Sequence, residues 1–469
     1  MADGIRRFEA NTSNIDPAWL SLPAGLLAAV GIFQFAPLTA DTALMLAITV
    51  FCVMLWIGSP VEPWFTALIC IGLIGVAFSS KLALTGFRSP ATWLVVVGIL
   101  IGEAAQQSGL AELVERLAHN RMSDRVLSDA VVAYRYLLVV FCFASLGLAV
   151  LIPSSLVRVL ILGPILISLG DLFTERRAKV GLFLGPLFAT FYGSSGVLTG
   201  SLANIIVTGL VESSGGPSIS WTEWLHWLGP VMGVGRVLLV VGITYLLYRP
   251  RERDGIIAPE RTERATVSAD ELRMFGFLLL GVVIWATDFI HGLHPLFGAL
   301  AVALLAFAPR IGVVRSDAVS EADFSILFFL GAIFAIAEGL QRTGFTDLAA
   351  GQLLSYLPSD ASLLVVLGFV VVVAQLLTLV MEGLAVASVL TPVLISFSTG
   401  AGVPLVPVAM IEAAALNTYF FPYQSAVLVA ILGMDVVNSV ELTQMSAAVA
   451  VTTLLLLIPI QISVFVVFF

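Results

Sequence analysis

Long apolar runs recur along this chain and constrain its fold more than any other feature. They include residues 24–38, 43–57, 137–152, 238–248, 363–380 and 449–469. A helix needs roughly 20 apolar residues to cross about 30 Å of hydrocarbon, and several runs approach or reach that length. The runs are too uniformly apolar for the alternating strands of an outer-membrane barrel. The sequence therefore predicts an all-α polytopic membrane protein.

Composition narrows the class of function. Charged residues make up 11% of the chain and hydrophobic residues 59%, whereas soluble domains carry about 25% charged residues. This balance excludes a soluble enzyme, and no cluster of His, Asp and Glu or nucleophile–base pair suggests a membrane-embedded one. The histidines show no ligand spacing, and the three cysteines lie in apolar runs without a metal-binding pattern. We expect no metal site, no cofactor and no nucleic-acid partner.

One charged segment divides the chain. Residues 249–273 contain six arginines and six acidic residues, and they separate a first half (1–248) from a second half (274–469). Basic loops stay on the cytoplasmic side, and Arg6 and Arg7 place the N-terminus on that side too. No Lys or Arg follows Arg342, so we expect the C-terminus outside. These patterns predict a multi-pass protein of the inner (plasma) membrane with an odd number of crossings and no removable signal peptide.

The two halves resemble each other. Residues 152–166 align without gaps with residues 380–394 and match Pro164 with Pro392. Upstream, residues 93–113 resemble 326–348, and downstream each half continues into an apolar stretch rich in Gly, Ser, Asn or Pro. Chance similarity between apolar helices is the alternative. The order and spacing favour two inverted repeats, an arrangement in which transporters hold substrate where the halves meet.

Helix breakers within apolar surroundings are the candidate functional segments. Backbone that is not helical at membrane depth must be buried in protein or line a watery cavity. The ends of the half-helices then bind anions through N–H groups and cations through carbonyls. Ordinary kinks are the alternative explanation. Arg158 follows one breaker, and its planar guanidinium suits a carboxylate or sulfate, although a purely structural arginine is also possible.

Several ordered motifs carry a family resemblance. Residues 56–68 read WIGSPVEPWFTAL, followed by LTGF at 84–87, TWL at 92–94 and WATDFIHGLHP at 285–295. With these motifs the chain resembles the divalent anion/sodium symporter family, which includes dicarboxylate, citrate and sulfate permeases. The resemblance implies about eleven transmembrane helices, two re-entrant hairpins and a homodimer. It also implies an elevator mechanism, in which two transport regions move against two scaffold regions.

The family resemblance also supplies the site. Members carry a Ser-Asn-Thr triplet at each of two hairpin tips, and an unwound helix follows each hairpin. Here the triplets read Ser154-Ser155-Leu156 and Glu382-Gly383-Leu384, and the unwound elements lie at 201–204 and 422–425. The resemblance implies substrate contacts from Ser154, Ser155, Arg158, Ser201, Asn204, Pro422, Gln424 and Ser425. It implies ion coupling through Gly193, Ser195, Thr199, Thr378, Glu382 and Gly383.

These observations predict a secondary active transporter of a small anion, coupled to sodium or protons, with the lipid bilayer as its other partner. The loss of both complete triplets leaves a passive anion channel or a transport-defective sensor as alternatives. In the second triplet Glu382 replaces hydroxyl and amide oxygens with a carboxylate. That group could load and release a proton, or serve as the principal ligand of a sodium ion.

Overall fold

The computed structural model describes residues 17–109, 129–252, 268–314, 318–358 and 360–469, and every regular element within them is a helix. The first half contains α1 (Ser21–Phe35), α2 (Ala40–Gly58), α3 (Pro63–Ala77), α4 (Ser80–Ala83), α5 (Pro90–Gln107), α6 (Ala130–Leu151), α7 (Ser155–Gly170), α8 (Arg176–Tyr192), α9 (Leu202–Ser213), α10 (Trp221–Leu228) and α11 (Arg236–Tyr248).

The second half contains α12 (Ala269–Ala286), α13 (Asp288–His291), α14 (Pro295–Ala306), α15 (Ala318–Glu321), α16 (Ser325–Arg342), α17 (Phe345–Leu354), α18 (Leu363–Thr378), α19 (Gly383–Ala401), α20 (Leu405–Leu416), α21 (Ala426–Leu432), α22 (Ser439–Thr452) and α23 (Ile458–Phe468). Short 3-10 segments lie at Pro17–Leu20, Thr85–Arg88, Gly193–Gly196, Leu198–Gly200 and Pro422–Gln424, and π-helical turns at Gly229–Gly235 and Thr453–Leu457.

Many helices have the length and composition of membrane spans. Seven described helices are long and apolar enough to cross a bilayer, and six shorter ones are also apolar. Large apolar side chains point outward, for example Val76, which is 92% exposed, as expected where lipid rather than water surrounds the protein. The predicted all-α polytopic membrane fold is confirmed. The predicted eleven crossings and the orientation of the termini stay predictions.

The internal repeat is visible in the order of the elements. In the first half α6, a short turn, α7 and α8 are followed by a nine-residue interruption (193–201) and α9. In the second half α18, a short turn, α19 and α20 are followed by a nine-residue interruption (417–425) and α21. Pro164 and Pro392 are each the tenth residue of their helix. The alignment made from the sequence therefore matches equivalent positions.

Helices of the two repeats exchange contacts reciprocally. Helix α7 packs on α21 of the second repeat, and its counterpart α19 packs on α9 of the first. Such an exchange is expected of two units related by a two-fold axis. Whether that axis lies in the membrane plane, as inverted repeats require, stays a prediction.

The halves also interlock away from these repeats. Gly86 lies against the backbone of Gly331, where an added Cβ would approach the Gly331 Cα to 2.7 Å. Thr42 donates a 2.6 Å hydrogen bond to the carbonyl of Thr343. The two halves therefore form one packed body.

The charged segment between the halves is described only at its ends. Helix α11 ends at Tyr248, and α12 begins at Ala269 after a capping box formed by Ser268 and Glu271. Residues 253–267 lie outside the described residues, as does the N-terminal arginine pair. The boundaries at 248 and 273 stay predictions.

Candidate functional site

Four non-helical segments define the candidate site. We call residues 152–154 the first tip, 379–382 the second tip, 193–201 the first break and 417–425 the second break. Pro153 has no N–H with which to continue α6, and Ser154 caps α7 by accepting a 3.3 Å hydrogen bond from Val157 N. The glycines of the first break allow close packing, because a Cβ on Gly196 would approach the Gly233 backbone to 2.5 Å.

Arg158 joins the first tip to the first break. Its fully buried guanidinium donates to five protein oxygens, at distances of 2.6–3.1 Å, which are the carbonyls of Ile152, Thr190 and Gly200 and the hydroxyls of Thr190 and Ser155. Arg158 therefore holds the first tip and the first break together through a buried positive charge. Its direct contact with substrate stays a prediction.

The two breaks touch through three polar side chains. Ser201 donates to Asn417 Oδ1 at 2.7 Å, and Asn417 Nδ2 donates to Asn204 Oδ1 at 3.0 Å. Asn204 Nδ2 in turn donates to the carbonyls of Ser195 and Val197 at 3.2 and 2.9 Å. All three side chains are buried. The predicted residues Ser201 and Asn204 thus meet the second break directly, through a residue that the sequence interpretation had not selected.

A second buried arginine bridges the breaks. Arg236, at the start of α11, donates to Ser195 Oγ and the Asn417 carbonyl at 2.9 and 3.2 Å and to the Ala414 carbonyl at 3.0 Å. It also donates to Thr418 Oγ1. Because α8 and α20 end beside it, its positive charge lies at the negative ends of two half-helices.

The second tip is held by the second break. Gln424 accepts hydrogen bonds from the N–H groups of Phe420 and Phe421, both at 2.7 Å, and donates to the carbonyl of Thr378. Tyr423 donates to the carbonyl of Leu379 at 2.8 Å. These contacts anchor the end of α18 without any charged group.

Gly383 and Glu382 differ sharply in their surroundings. A Cβ on Gly383 would lie 2.9 Å from the Leu416 carbonyl and 3.3 Å from the Tyr419 hydroxyl. Glu382 is half-buried, and its carboxylate receives no hydrogen bond from any described residue. The second tip is thus tightly packed at Gly383 and more open at the Glu382 side chain.

The two sides of the site differ in exposure. Residues 193–200 of the first break are all buried, whereas Phe421 and Tyr423 of the second break are 40% and 62% exposed. Irregular backbone at membrane depth needs protein or water around it rather than lipid. The first break is therefore more completely enclosed by protein than the second.

The remaining predicted residues have structural partners. Gly193 packs on Val237, Thr199 accepts from Trp221 Nε1 at 3.1 Å, and Ser425 caps α21. Pro422 begins a 3-10 turn. In the described part of the chain no group of three His, Cys, Asp or Glu side chains could hold a metal ion. The roles of all these residues in substrate binding and ion coupling stay predictions.

The sequence interpretation missed Arg236, Asn417 and Thr418. Arg236 gave the same signal as Arg158, an ionisable residue inside an apolar run, which is costly unless it has a partner. Asn417 and Thr418 follow directly after α20, but the sequence alone did not show where that helix ends. Their pairing with the first break depends on the packing of the two repeats.

A helical membrane protein with two related units that meet at broken helices belongs architecturally with the secondary transporters. The family profile described as "Sodium:sulfate symporter transmembrane region" matches residues 19–468, and the chain belongs to this family. The resemblance inferred from the motifs is thereby confirmed. The chain is a multi-pass membrane transporter of anions and not an enzyme.

Curated relatives share about a quarter of their residues with this chain. The L-tartrate/succinate antiporter of Escherichia coli strain UTI89 is 26% identical over 410 residues, which cover 82% of this chain and 81% of the relative. The L-tartrate/succinate antiporter of strain K12 is 26% identical over 345 residues, which cover 69% and 67%.

A solved structure shares the fold. The YdaH transporter of Alcanivorax borkumensis superimposes with a TM-score of 0.56 at 16% identity, and the match covers 91% of this chain and 98% of that chain. At this identity the likeness concerns the architecture alone.

Proposed function

We propose that this chain is a secondary active carrier that exchanges small dicarboxylates across the inner (plasma) membrane. One observation carries the proposal: a continuous series of contacts joins both tips and both breaks. It runs from the Ile152 carbonyl of the first tip through Arg158 to Gly200, across the breaks through Ser201 and Asn417, and on to Leu379 of the second tip through Tyr423. The names of the curated relatives support the substrate class and the exchange mode.

The charge distribution suits a dianion. Helices α7, α9 and α19 begin at a tip or a break, and the N-terminal end of a helix attracts anions through its free N–H groups and its dipole. The second half has no Lys or Arg after Arg342. Fixed positive charge near the site therefore comes from Arg158 and Arg236 in the first half.

The first tip needs no sodium ion in this proposal. The five oxygens around Arg158 are carbonyls and hydroxyls, the hard ligands that alkali and alkaline-earth cations also use. The Arg158 guanidinium already supplies a permanent positive charge among these five oxygens. At the second tip Glu382 is the coupling group, which binds either a proton or a sodium ion.

We propose movement by an elevator mechanism within a homodimer, as the family resemblance implies. The tips, the breaks and helices α7–α9 and α19–α21 would move together. Their reciprocal packing supports this, because it links both repeats into one unit. In this proposal the N-terminus lies in the cytoplasm and the C-terminus outside, because basic loops stay on the cytoplasmic side.

Counterflow in proteoliposomes tests the function. Vesicles loaded with unlabelled succinate should take up external labelled succinate or L-tartrate faster than empty vesicles, with saturation. Repeating the assay with and without sodium, and with an imposed pH gradient, identifies the coupling ion. Large passive currents without acceleration by internal substrate would indicate a channel. Binding without flux would indicate a sensor, and either result would overturn the proposal.

A further inference from the structure

Glu412 is a buried carboxyl group that none of the contacts above uses. It lies on α20, five residues before the second break, and its side chain is fully buried. Thr391 of α19 donates a 2.9 Å hydrogen bond to Oε1. Oε2 has no hydrogen-bond partner among the described residues. One carboxyl oxygen is therefore satisfied and the other is not.

The helices that pack on α20 in the described part of the chain bring no cationic side chain to this carboxyl group. Helix α20 packs on α9, α18, α19 and α23, which contain no Lys, Arg or His. Their only acidic residue is Glu212 near the end of α9, 3.5 Å from His294, and Glu382 precedes α19. Arg236 reaches α20, but it donates there to the Ala414 carbonyl and not to Glu412. An ionised carboxylate so buried and unpaired is strongly unfavourable, and a proton relieves it.

The fold does not require an acid at this position. Counting back five residues from each break places Phe188 at the first-repeat equivalent of Glu412. The ninth residue of α19 is Thr391, and the ninth of α7 is Gly163. Phe188 and Gly163 are both buried. The same pair of helices thus packs with apolar residues in the first repeat, so the acid is specific to the second.

The turn of α19 that contains Thr391 has a carbonyl without its usual helical donor. Pro392 follows Thr391 and has no N–H, so the carbonyl of Ser388 loses its usual helical donor. Ser388 and Thr391 are three residues apart and share one face of α19. A protonated carboxyl group can accept from Thr391 through one oxygen and act as a donor through the other.

We propose that Glu412 is a proton-binding site of the carrier, which holds a proton at neutral pH and releases it when the second break rearranges during transport. The transport role rests on the proposed function, whereas the protonation itself does not. The ligand is the proton, and the site is the Glu412–Thr391 pair between α19 and α20.

Infrared spectroscopy of the purified full-length protein tests protonation without any transport. At pH 7 exposed carboxyl groups are ionised, since the usual pKa of Glu is about 4.3. We expect the protonated-carboxyl band of the wild-type protein to contain a component that disappears in Glu412→Gln and persists in Glu103→Gln and in Glu382→Gln. Glu103 is a matched control because it is a half-buried carboxylate on α5 that accepts from Gln107 at 2.8 Å. A wild-type spectrum without a band attributable to Glu412 would overturn the proposal.

Transport assays distinguish a proton that Glu412 releases during the transport cycle from one that stays bound. Glu412→Gln mimics the neutral acid, so it should keep counterflow while losing acceleration by a pH gradient, and Glu103→Gln should keep both. Retained acceleration in Glu412→Gln would overturn the role in transport. If that variant does not fold, Thr391→Val removes the only donor to the carboxylate and should shift the loss of the band to higher pH. Absence of any counterflow in the wild type would count against the proposed function, and the band would still decide protonation.

Discussion

Removing the Arg158 side chain should expose a cation site. In Arg158→Ala the carbonyls of Ile152 and Thr190 lose their guanidinium donor, whereas the Gly200 carbonyl keeps Ser155 at 3.2 Å. Each newly unsatisfied buried group costs about 1–3 kcal/mol. Two such groups are left unsatisfied, but the variant also no longer buries a guanidinium. The net loss of stability should therefore lie in the lower half of their summed cost, about 2–4 kcal/mol.

This loss can be measured as thermal stability in detergent. At about 2 °C per kcal/mol, the value for large domains, the Tm should fall by about 4–8 °C in choline chloride. The vacated oxygens should then bind sodium. At a sodium concentration ten times its Kd, binding restores about 1.4 kcal/mol, or about 3 °C, in addition to any response of the wild type, in which Glu382 alone would bind sodium.

The control is Arg176→Ala, which breaks an ion pair with Glu441 at a side chain that is 62% exposed. Exposed pairs contribute about 0–1 kcal/mol, so its Tm should change little, and its response to sodium should match that of the wild type. Equal Tm values for Arg158→Ala in sodium and choline would refute the idea that the guanidinium takes the place of a cation. So would a variant as stable as the wild type.

Three further predictions concern other parts of the site. Glu382→Gln should keep exchange but lose its dependence on pH or on sodium, measured in proteoliposomes, and unchanged ion dependence would make Glu382 a structural residue. Asn417→Ala breaks the contact between the breaks, so its free energy of unfolding should fall by about 1–3 kcal/mol. Added succinate should no longer raise the Tm of this variant. The control Asn438→Ala, at the N-cap of α22, should still show that rise. Arg88→Cys and Asp323→Cys, both at exposed positions, should react with impermeant thiol reagents from opposite membrane faces. The native cysteines are buried and should not contribute to the labelling. Labelling of both from one face would contradict inverted repeats.

The sequence predicted those features that depend on local composition and spacing. Apolar runs identified the membrane helices, and the match of Pro164 with Pro392 correctly aligned α7 with α19, because a proline inside a helix keeps its place relative to the start of that helix. The unwound elements predicted at 201–204 and 422–425 were only partly right. Residues 422–425 lie in the second break, whereas 201–204 overlaps the first break only at Ser201 and continues into α9.

The partners of polar side chains could not be predicted in the same way. Arg158 was interpreted as a substrate contact because a lone arginine in an apolar run needs a partner. The structure shows that carbonyls at sequence separations of 6, 32 and 42 residues receive its hydrogen bonds. Arg236 reaches oxygens up to 182 residues away. Such pairings are set by the packing of the repeats, and no local pattern encodes them.

The close approach of Gly86 and Gly331 bears on how the protein is made. During synthesis the first half enters the bilayer long before residue 331 leaves the ribosome. Until then the surface around Gly86 has no Gly331 backbone to pack against. Any larger side chain at either glycine would hold the halves apart after insertion, even though each half could insert normally. Two separately expressed halves, divided within residues 253–267, should therefore be unstable alone and recover only when produced together.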